Sequence, residues 1–387
     1  MKIVFFAHPL FLGSQSMPRF AAMLAEGMKS RDHEVEIWRP EALFSVLPVK
    51  GLKKWLGYID QYIVFPQKVK HRLRQEKEPV LYVVTDHALG PYVPLVAGRP
   101  HVIHCHDFLA QRSALGEIKE NITSSSGQKY QAYIRSGYSQ GRNFISVSQK
   151  TRADLEEFLT KKPERSEMVY NGLNPFFAPE PLVTSRIALG KELNLDLTDG
   201  YILHVGGNQW YKNRSGVIAI YDKWREVYGK DLPLLLIGQK PSDSLMEVYI
   251  RSSYKNDIHF FSGVNDEVVK MAYAGASVFL FPSLAEGFGW PIAEAMASGT
   301  VVITTNEAPM LEVAKDAALL VERMPVENIA REKWAVDVAA VLQRALMFNE
   351  AERQEWITRG IKNIQRFKLK DALDRIEQIY LEVLTQN

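Results

Sequence analysis

The amino-acid sequence predicts an α/β protein built from two Rossmann-like, doubly wound domains that face each other across a cleft. Three observations predict it. Short apolar runs alternate with helix-forming or polar stretches along the chain; the alternation restarts after a proline-rich segment near residues 172 to 182; and 387 residues exceed one ordinary core at about 150 residues per domain. Such alternation builds a parallel sheet with helices on both faces. Ligands of these sheets sit beyond the carboxyl ends of the strands, so facing halves would bring both sets of loops into one cleft.

The first run, KIVFFA, leads into a loop containing Gly13, then RFAAMLAEGMKSRDH with apolar residues at helical spacing, then the strand EVEIW. The runs VLYVVT, HVIHCH and NFISVS follow, the last succeeded by the helical SQKTRADLEEFL. Beyond the proline-rich segment come YILHVG, a helix around SGVIAIYDKWREVYG, and the runs PLLLIG, IHFFSG, SVFLFPS and TVVITT. The closing stretch DALDRIEQIYLEVL is amphipathic and suited to packing back on either half. The expected domains are residues 1–172, to which the helix of about residues 366–387 is able to return, and residues 173–365. Two stretches interrupt the pattern. Residues 50 to 75 mix Lys and Arg with Trp, Tyr, Ile and Phe, which reads first as an aromatic core stripe and second as a face for an anionic membrane. Residues 113 to 140, rich in Ser, Gly, Gln and Tyr, read as a mobile loop.

Composition narrows the function. A hydrophobic share of 46% and a charged share of 24% are those of a soluble globular chain with material for two cores. A net charge of +2 supplies no global basic field, so nucleic acid is not an expected partner. The single cysteine, Cys105, cannot form an intramolecular disulfide, which fits a reducing cytoplasm. The opening segment is broken by His8 and Pro9 and reads as a buried strand, not a secretory signal. No run reaches the roughly 18 apolar residues of a membrane span, so a cytoplasmic location is expected, with peripheral contact on the inner face of the membrane left open. Neither GxGxxG after a strand nor GxxxxGK[ST] occurs, so dehydrogenase and P-loop kinase readings lack their key turns.

The chemistry concentrates in FPSLAEGFGWPIAEAMASG, residues 281 to 299, which reads as strand, glycine-bearing turn and helix. Pro291 suits the first helical turn and Gly299 the stop. Gly287 and Gly289 let the backbone bend and bring its N–H groups near a ligand, and a helix N-terminus favours oxygen-rich or anionic groups. Glu286 stands in the loop and Glu294 is expected in the first helical turn, with seven residues between them. Either carboxylate alone reads as solvated or as a complement to the helix dipole. With the glycines, Phe288 and a strand's carboxyl end, the two read as acceptors for separate hydroxyl sets, which the ribose and hexose of a nucleotide sugar offer. The segment HVIHCHDF adds His101, His104, His106 and Asp107, and alternation places His104 and His106 on one face. A zinc site there lacks a matching cysteine or carboxylate cluster. With no Asp-x-Asp triplet in the chain, no metal and no cofactor beyond the donor are expected.

The string EGFGWPIAEAMASG, preceded by FPS and followed by TVVITTNEAPMLEV, resembles the Glu, seven residues, Glu motif of glycosyltransferase family 4, whose members have the GT-B fold and retain anomeric configuration. ILHVGGNQWYKN, PLLLIG, IHFFSGVNDEVVKMAYAGASVFLFPS and DAALLV extend the likeness through the second half, while Gly13, HCHDF, ISVSQKTRADL and YNGLN carry it more loosely in the first. The resemblance implies that Glu294 binds the donor ribose and Glu286 the donor sugar. It implies that the backbone of Gly287, Phe288 and Gly289 approaches sugar and phosphate, and that Gly13, Gly207, Asn208 and Val264 help bind the donor. His106 would act at the donor sugar from the first domain. Lys212 matches the family's lysine, and a cation there stabilises a leaving diphosphate more in the transition state than in the ground state. Tyr211 stands where an arginine is common, with Arg214 as the alternative second cation. His106, Lys212 and Glu286 are therefore the expected catalytic groups. The implied activity is a retaining, metal-independent hexosyltransferase that uses UDP-glucose first among donors. It would serve a glycan or lipid-linked acceptor in polysaccharide or glycoconjugate biosynthesis. A nucleotide-sugar epimerase or phosphorylase on the same fold, and a non-catalytic sugar-nucleotide-binding subunit, remain alternatives.

Overall fold

A computed structural model describes residues 1–13, 16–48 and 52–385. The chain divides into two compact units, Met1–Tyr170 with Lys370–Asn387, and Asn171–Leu369. Unit 1 runs β1 (Lys2–Phe6), α1 (Ser16–Lys29), β2 (Glu34–Trp38), α2 (Lys53–Ile59), α3 (Phe65–Gln75), β3 (Val80–Val84), β4 (His101–Cys105), α4 (Leu109–Ala114), α5 (Ser125–Tyr138), β5 (Asn143–Ser146), α6 (Gln149–Phe158) and β6 (Arg165–Met168). Its six parallel strands are ordered β2-β1-β3-β4-β5-β6. The nearly continuous apolar runs of β1 and β3, and the complete burial of β4, are what a parallel sheet covered on both faces requires. The order reverses between β1 and β3, which makes their carboxyl ends the switch point of this sheet.

Unit 2 runs α7 (Leu182–Leu193), β7 (Ile202–Gly206), α8 (Arg214–Tyr228), β8 (Leu234–Gly238), α9 (Asp243–Arg251), β9 (Ile258–Ser262), α10 (Asp266–Gly275), β10 (Val278–Phe281), α11 (Trp290–Ala297), β11 (Val302–Thr305), α12 (Met310–Ala314), β12 (Leu319–Val321), α13 (Asn328–Leu346) and α14 (Glu350–Ile364). Its order, β12-β11-β10-β7-β8-β9, reverses between β7 and β10. The last helix, α15 (Leu369–Thr385), packs on unit 1. There Leu373 fills the space beside Gly27, where an added Cβ would lie 2.7 Å from it, Arg31 pairs with Asp374 at 2.6 Å, and the Tyr380 hydroxyl meets His104 Nε2 at 2.6 Å.

Residues 113 to 140 correct the expectation of a mobile loop, because α5 occupies half of them. Ser124 caps it by accepting the Gly127 N–H at 3.3 Å, and Ile134, Gly137 and Tyr138 are buried. Its glycine serves close packing, since a Cβ on Gly137 would lie 2.2 Å from the Gly90 carbonyl oxygen. In the 50 to 75 stretch, Lys50 and Gly51 lie outside the described residues. The rest forms α2, a π-helical turn Asp60–Val64 and α3, with Phe65, Val69 and Leu73 buried. Asp60 is buried too, and its carboxylate accepts the N–H groups of Leu43 (3.2 Å), Phe44 (2.9 Å) and Ser45 (2.9 Å). That cage fixes a loop whose Leu43, Phe44, Val46 and Leu47 face solvent, as does Trp55 at 64% exposure. The stretch is therefore partly core and partly an exposed apolar face. No helix among the described residues is long and apolar enough to cross a membrane.

Two deeply buried histidines contribute to the acid response, along with the less strongly lowered His101, His106 and His259. Burial holds His104 in unit 1 and His204 in unit 2 down at about 3, so both are neutral in the fold. In the unfolded chain a histidine takes its proton near pH 6.5. Between about pH 6.5 and 3 the unfolded chain binds more protons, and stability falls as pH falls. Each histidine removes about 2 kcal/mol by pH 5. Urea unfolding at pH 7.5 and pH 5 should show lower stability at pH 5, with a smaller loss in His204→Asn for the transition of unit 2; pH-independent unfolding in this range would contradict the assignment.

Candidate functional site

The loops that leave β7 and β10 at the switch point of unit 2 are tied together by main-chain and side-chain bonds. The Leu284 N–H donates to the Tyr211 carbonyl at 2.7 Å. Asn213, left-handed at φ 51°, caps α8 by accepting the Gly216 N–H at 3.2 Å and donates its amide to the Pro282 carbonyl at 3.0 Å. Gly206 and Gly238 are paired in register across β7 and β8, and a Cβ on Gly238 would lie 2.0 Å from the Gly206 carbonyl oxygen. Backbone alone fits there. The loop therefore leaves the sheet at Gly206 and Gly207 before its 3-10 turn, Trp210–Lys212.

This framework brings Lys212 and Glu286 together. Lys212 Nζ donates to Glu286 Oε1 at 2.7 Å, and Ser283 Oγ donates to the same oxygen at 2.8 Å. The two side chains are only 14% and 8% exposed. The ammonium also stands 5.0 Å from the Phe281 ring centre and 5.5 Å from that of Tyr211. Next to this pair, His204 Nδ1 donates to the Leu280 carbonyl at 2.9 Å, while its buried Nε2 has no partner. Being neutral, it adds no charge to the pair.

The turn into α11 is organised as its sequence requires. Gly289 (φ 104°) precedes Trp290, Pro291 lies in the first turn, and Gly299 (φ 78°) follows the helix end. Because the helix starts at Trp290, Glu294 is its fifth residue and stands in the second turn, which corrects the first-turn placement. Its carboxylate accepts the Tyr273 hydroxyl of α10 at 3.0 Å. Phe288 is buried edge-on to Trp290 and Phe367. Gly207 and the exposed Asn208 belong to the Lys212 loop, and Val264 is half-buried in the β9–α10 loop. The arrangement offers a cation, two carboxylates and a helix N-terminus around the carboxyl ends of two central strands.

Residues 17–175 match the family described as "Glycosyltransferase Family 4", and residues 185–360 match "Glycosyl transferases group 1". The chain belongs to glycosyltransferase family 4. It is 28% identical over 183 residues to O-antigen chain mannosyltransferase B of Escherichia coli, covering 47% of this chain and 45% of that relative. The match thus spans about half the length of the curated relatives. Among solved structures, sucrose-phosphate synthase from Thermosynechococcus elongatus superposes with a TM-score of 0.77 at 16% identity, covering 100% of both chains. HepE from Anabaena, in complex with UDP-glucose, does so with 0.71 at 14% identity, covering 98% of each. These likenesses show the GT-B fold.

Unit 1 of this family 4 chain gathers its own polar cluster beyond β1 and β3. Gly13 lies in the loop after β1, left-handed at φ 74° and exposed. His106 follows β4 and is buried, its Nε2 bonded to the Thr85 carbonyl at 2.9 Å and its ring edge-on to Phe20. Burial pushes it below the usual histidine range. Sequence reasoning missed the neighbouring His8, Asp86 and His87. His8 Nε2 meets Asp86 Oδ2 at 2.9 Å, and His87 Nδ1 lies 3.0 Å from Oδ1. Burial alone would raise the Asp86 carboxyl, but these two histidines outweigh it and hold the group well below the usual carboxylate range. The available signal was a polar residue directly after each of two apolar runs, at His8 and at Asp86. The HVIHCHDF histidines are engaged: His104 with Tyr380, His106 with Thr85, and His101 with the Arg99 carbonyl and the Arg142 N–H. Among the described residues no three His, Cys, Asp or Glu side chains form a metal-binding group.

Proposed function

We propose that this family 4 chain transfers a hexose from a nucleotide sugar, held by unit 2, to a glycan or lipid-linked acceptor held by unit 1, with retention and without a divalent ion. The observation that carries the reading is the enclosed Lys212–Glu286 pair at the switch point of unit 2. In this reading the pair is the resting arrangement. A bound diphosphate draws the Lys212 ammonium to itself, and Glu286, released from it, accepts hydrogen bonds from the sugar hydroxyls. Glu294 takes the ribose hydroxyls, and the N–H groups beyond Gly287, Phe288 and Gly289 take diphosphate oxygen. His106, buried and held below the usual histidine range, is the unit 1 side chain whose replacement tests a role in transfer. The acceptor oxygen then bonds to the anomeric carbon as the carbon–phosphate-oxygen bond breaks, and the departing phosphate takes the acceptor's proton. Charge grows on that phosphate in the transition state, so Lys212 and the helix end contribute most there.

UDP-glucose is the first donor to test, because the fold neighbour HepE holds it. A mannose nucleotide is the second reading, favoured by the mannosyltransferase relative. The exposed Leu43, Phe44, Val46, Leu47 and Trp55, next to Lys53 and Lys54, suit peripheral contact with an anionic membrane at the cytoplasmic face.

The two glutamates separate in experiment. Glu294→Gln should weaken binding of the bare nucleoside diphosphate and of the whole donor alike. Glu286→Gln should leave bare diphosphate affinity equal or higher, since it removes the counter-ion of Lys212, while lowering kcat about ten-fold or more. Calorimetry with UDP and GDP, set beside transfer or donor-hydrolysis assays in excess EDTA and NMR of the product's anomeric coupling, reads all of this. Identical responses of the two variants, activity that needs added magnesium or manganese, or an inverted linkage would overturn the corresponding part; donor binding with neither transfer nor hydrolysis would favour a non-catalytic subunit. For the apolar face, sedimentation with phosphatidylglycerol vesicles should capture the chain and release it at high salt, and Trp55→Ser with Phe44→Ser should abolish capture; equal capture of the double variant would remove the membrane assignment.

A further inference from the structure

Four tyrosines form a row on unit 1, open to water where a core would enclose them. Trp55, Tyr58 and Tyr62 are spaced by three and four residues and so share one face of the helix that begins at Lys53. Tyr130 and Tyr133 of α5 come up against that face. The Tyr58 ring centre lies 5.9 Å from those of Trp55 and Tyr62 and 6.0 Å from that of Tyr130, and Tyr133 lies 5.9 Å from Tyr62. The hydroxyls of Tyr62 and Tyr130 meet at 2.5 Å. Tyr58, Tyr62 and Tyr130 are half-buried, and Tyr133 is 48% exposed. A phenol kept at the surface presents an apolar ring and a polar tip together.

The row is tied to the switch point of its own unit. Tyr62 lies 6.3 Å from the buried Tyr92, which in turn lies 6.3 Å from Phe6, the last residue of β1. In the loop after β1, Phe11 rests against α2, where a Cβ on Gly57 would stand 3.5 Å from its ring. Burial pushes the Tyr130 phenol up, and the charge of Asp86 is among the smaller contributions, which puts that carboxylate within electrostatic reach of the row. Tyr62 also sits in the π-helical turn Asp60–Val64, a departure from α geometry that recurs at functional sites. The turn is firmly held: Asp60 takes three main-chain N–H groups, and Gln61 Nε2 donates to the Gly57 carbonyl at 2.9 Å.

We propose that this tyrosine row binds the saccharide part of a lipid-linked acceptor, with sugar rings lying against Tyr58 and Tyr133. The assignment rests on the reading of unit 1 as the acceptor domain. A pyranose offers a face of C–H bonds to an aromatic ring and a rim of hydroxyls to phenolic oxygens. Among the described residues the hydroxyls of Tyr58 and Tyr133 make no hydrogen bond, and the Tyr62–Tyr130 contact uses one of its two O–H groups, leaving the other to donate outward. Lys54 Nζ, 5.9 Å from the Tyr58 ring centre, adds a further donor. An acyl chain would gain nothing from these hydroxyls, and the aliphatic side chains that suit it, Leu43, Val46 and Leu47, stand on the separate loop that Asp60 holds. The sequence of surfaces is therefore an apolar face that includes Trp55, then tyrosines, then Asp86. It matches an acceptor whose lipid stays in the bilayer while its sugars cross the row toward the strand ends.

Saturation-transfer NMR with α-linked glucose and mannose trisaccharides reads this contact directly. Irradiating the aromatic protons of the wild type should carry saturation to the ring C–H protons of at least one trisaccharide. Tyr58→Ala with Tyr133→Ala should weaken that binding about ten-fold, whereas Tyr58→Phe with Tyr133→Phe, which keeps both rings, should retain most of it. Thermal melting checks the fold, and if the double Ala variant melts well below wild type, Tyr133→Ala alone carries the test, since that ring is largely outside the packed cluster. Saturation reaching neither trisaccharide, or equal binding by wild type and the Ala variants, would overturn the proposal. So would Ala variants that bind the trisaccharides normally but no longer sediment with phosphatidylglycerol vesicles, because the row would then belong to the membrane face. Failure of the transfer reading looks different: calorimetry would show the wild type binding neither UDP nor GDP, while the trisaccharides still received saturation from the tyrosines.

Discussion

The ion pair between Lys212 and Glu286 joins two loops separated by 74 residues, and much of unit 2 is arranged so that it can form. A lysine and a carboxylate largely withdrawn from water lose hydration that their attraction restores only when geometry is good and other hydrogen bonds help. Ser283 supplies one such bond, the Phe281 and Tyr211 rings flank the ammonium, and the neutral His204 adds no repulsion. The pair also demands that β7 and β10 be neighbours, which the reversal of strand order provides. Asn213 and the Leu284–Tyr211 main-chain bond then fix the two loops in register. A pair held this way is poised to exchange one partner for a ligand of matching charge without rebuilding the loops.

Unit 1 meets the same constraint with a different composition. Its switch point holds a carboxylate, Asp86, between two histidines, next to a neutral His106. The helix α15 closes the sheet from the far end of the chain, placing Tyr380 on His104. Both units therefore bury imidazole in or beside their central strands, and burial lowers His104, His106 and His204 below the usual histidine range.

What the sequence disclosed follows from the range of the interactions involved. Strands such as VLYVV and VFLF are apolar on both faces and are legible without partners. The strand RSEM is polar and half-buried, and LLV has three residues, so neither β6 nor β12 carries a pattern that distinguishes it from loop. The helix α5 hid because its Ser and Gly content resembles a linker, whereas Gly137 is small for the sake of contact with Gly90. At the site, Lys212, Glu286 and Glu294 stood out individually through glycines, helix signals and family resemblance. Their partners did not. The 2.7 Å meeting of Lys212 with Glu286 and the 2.9 Å meeting of His8 with Asp86, 78 residues apart, are tertiary facts. Arg214 was the least legible, since a charged residue at a helix start is ordinarily solvated and only the packed structure shows it enclosed.

The most direct test of this account is a crystal structure of the chain with a nucleoside diphosphate or its sugar bound. The account predicts diphosphate oxygen within hydrogen-bond distance of Lys212 Nζ, ribose hydroxyls on Glu294, and the Lys212–Glu286 separation opened from 2.7 Å to beyond ion-pair distance. A nucleotide bound elsewhere, with the pair still closed, would contradict it.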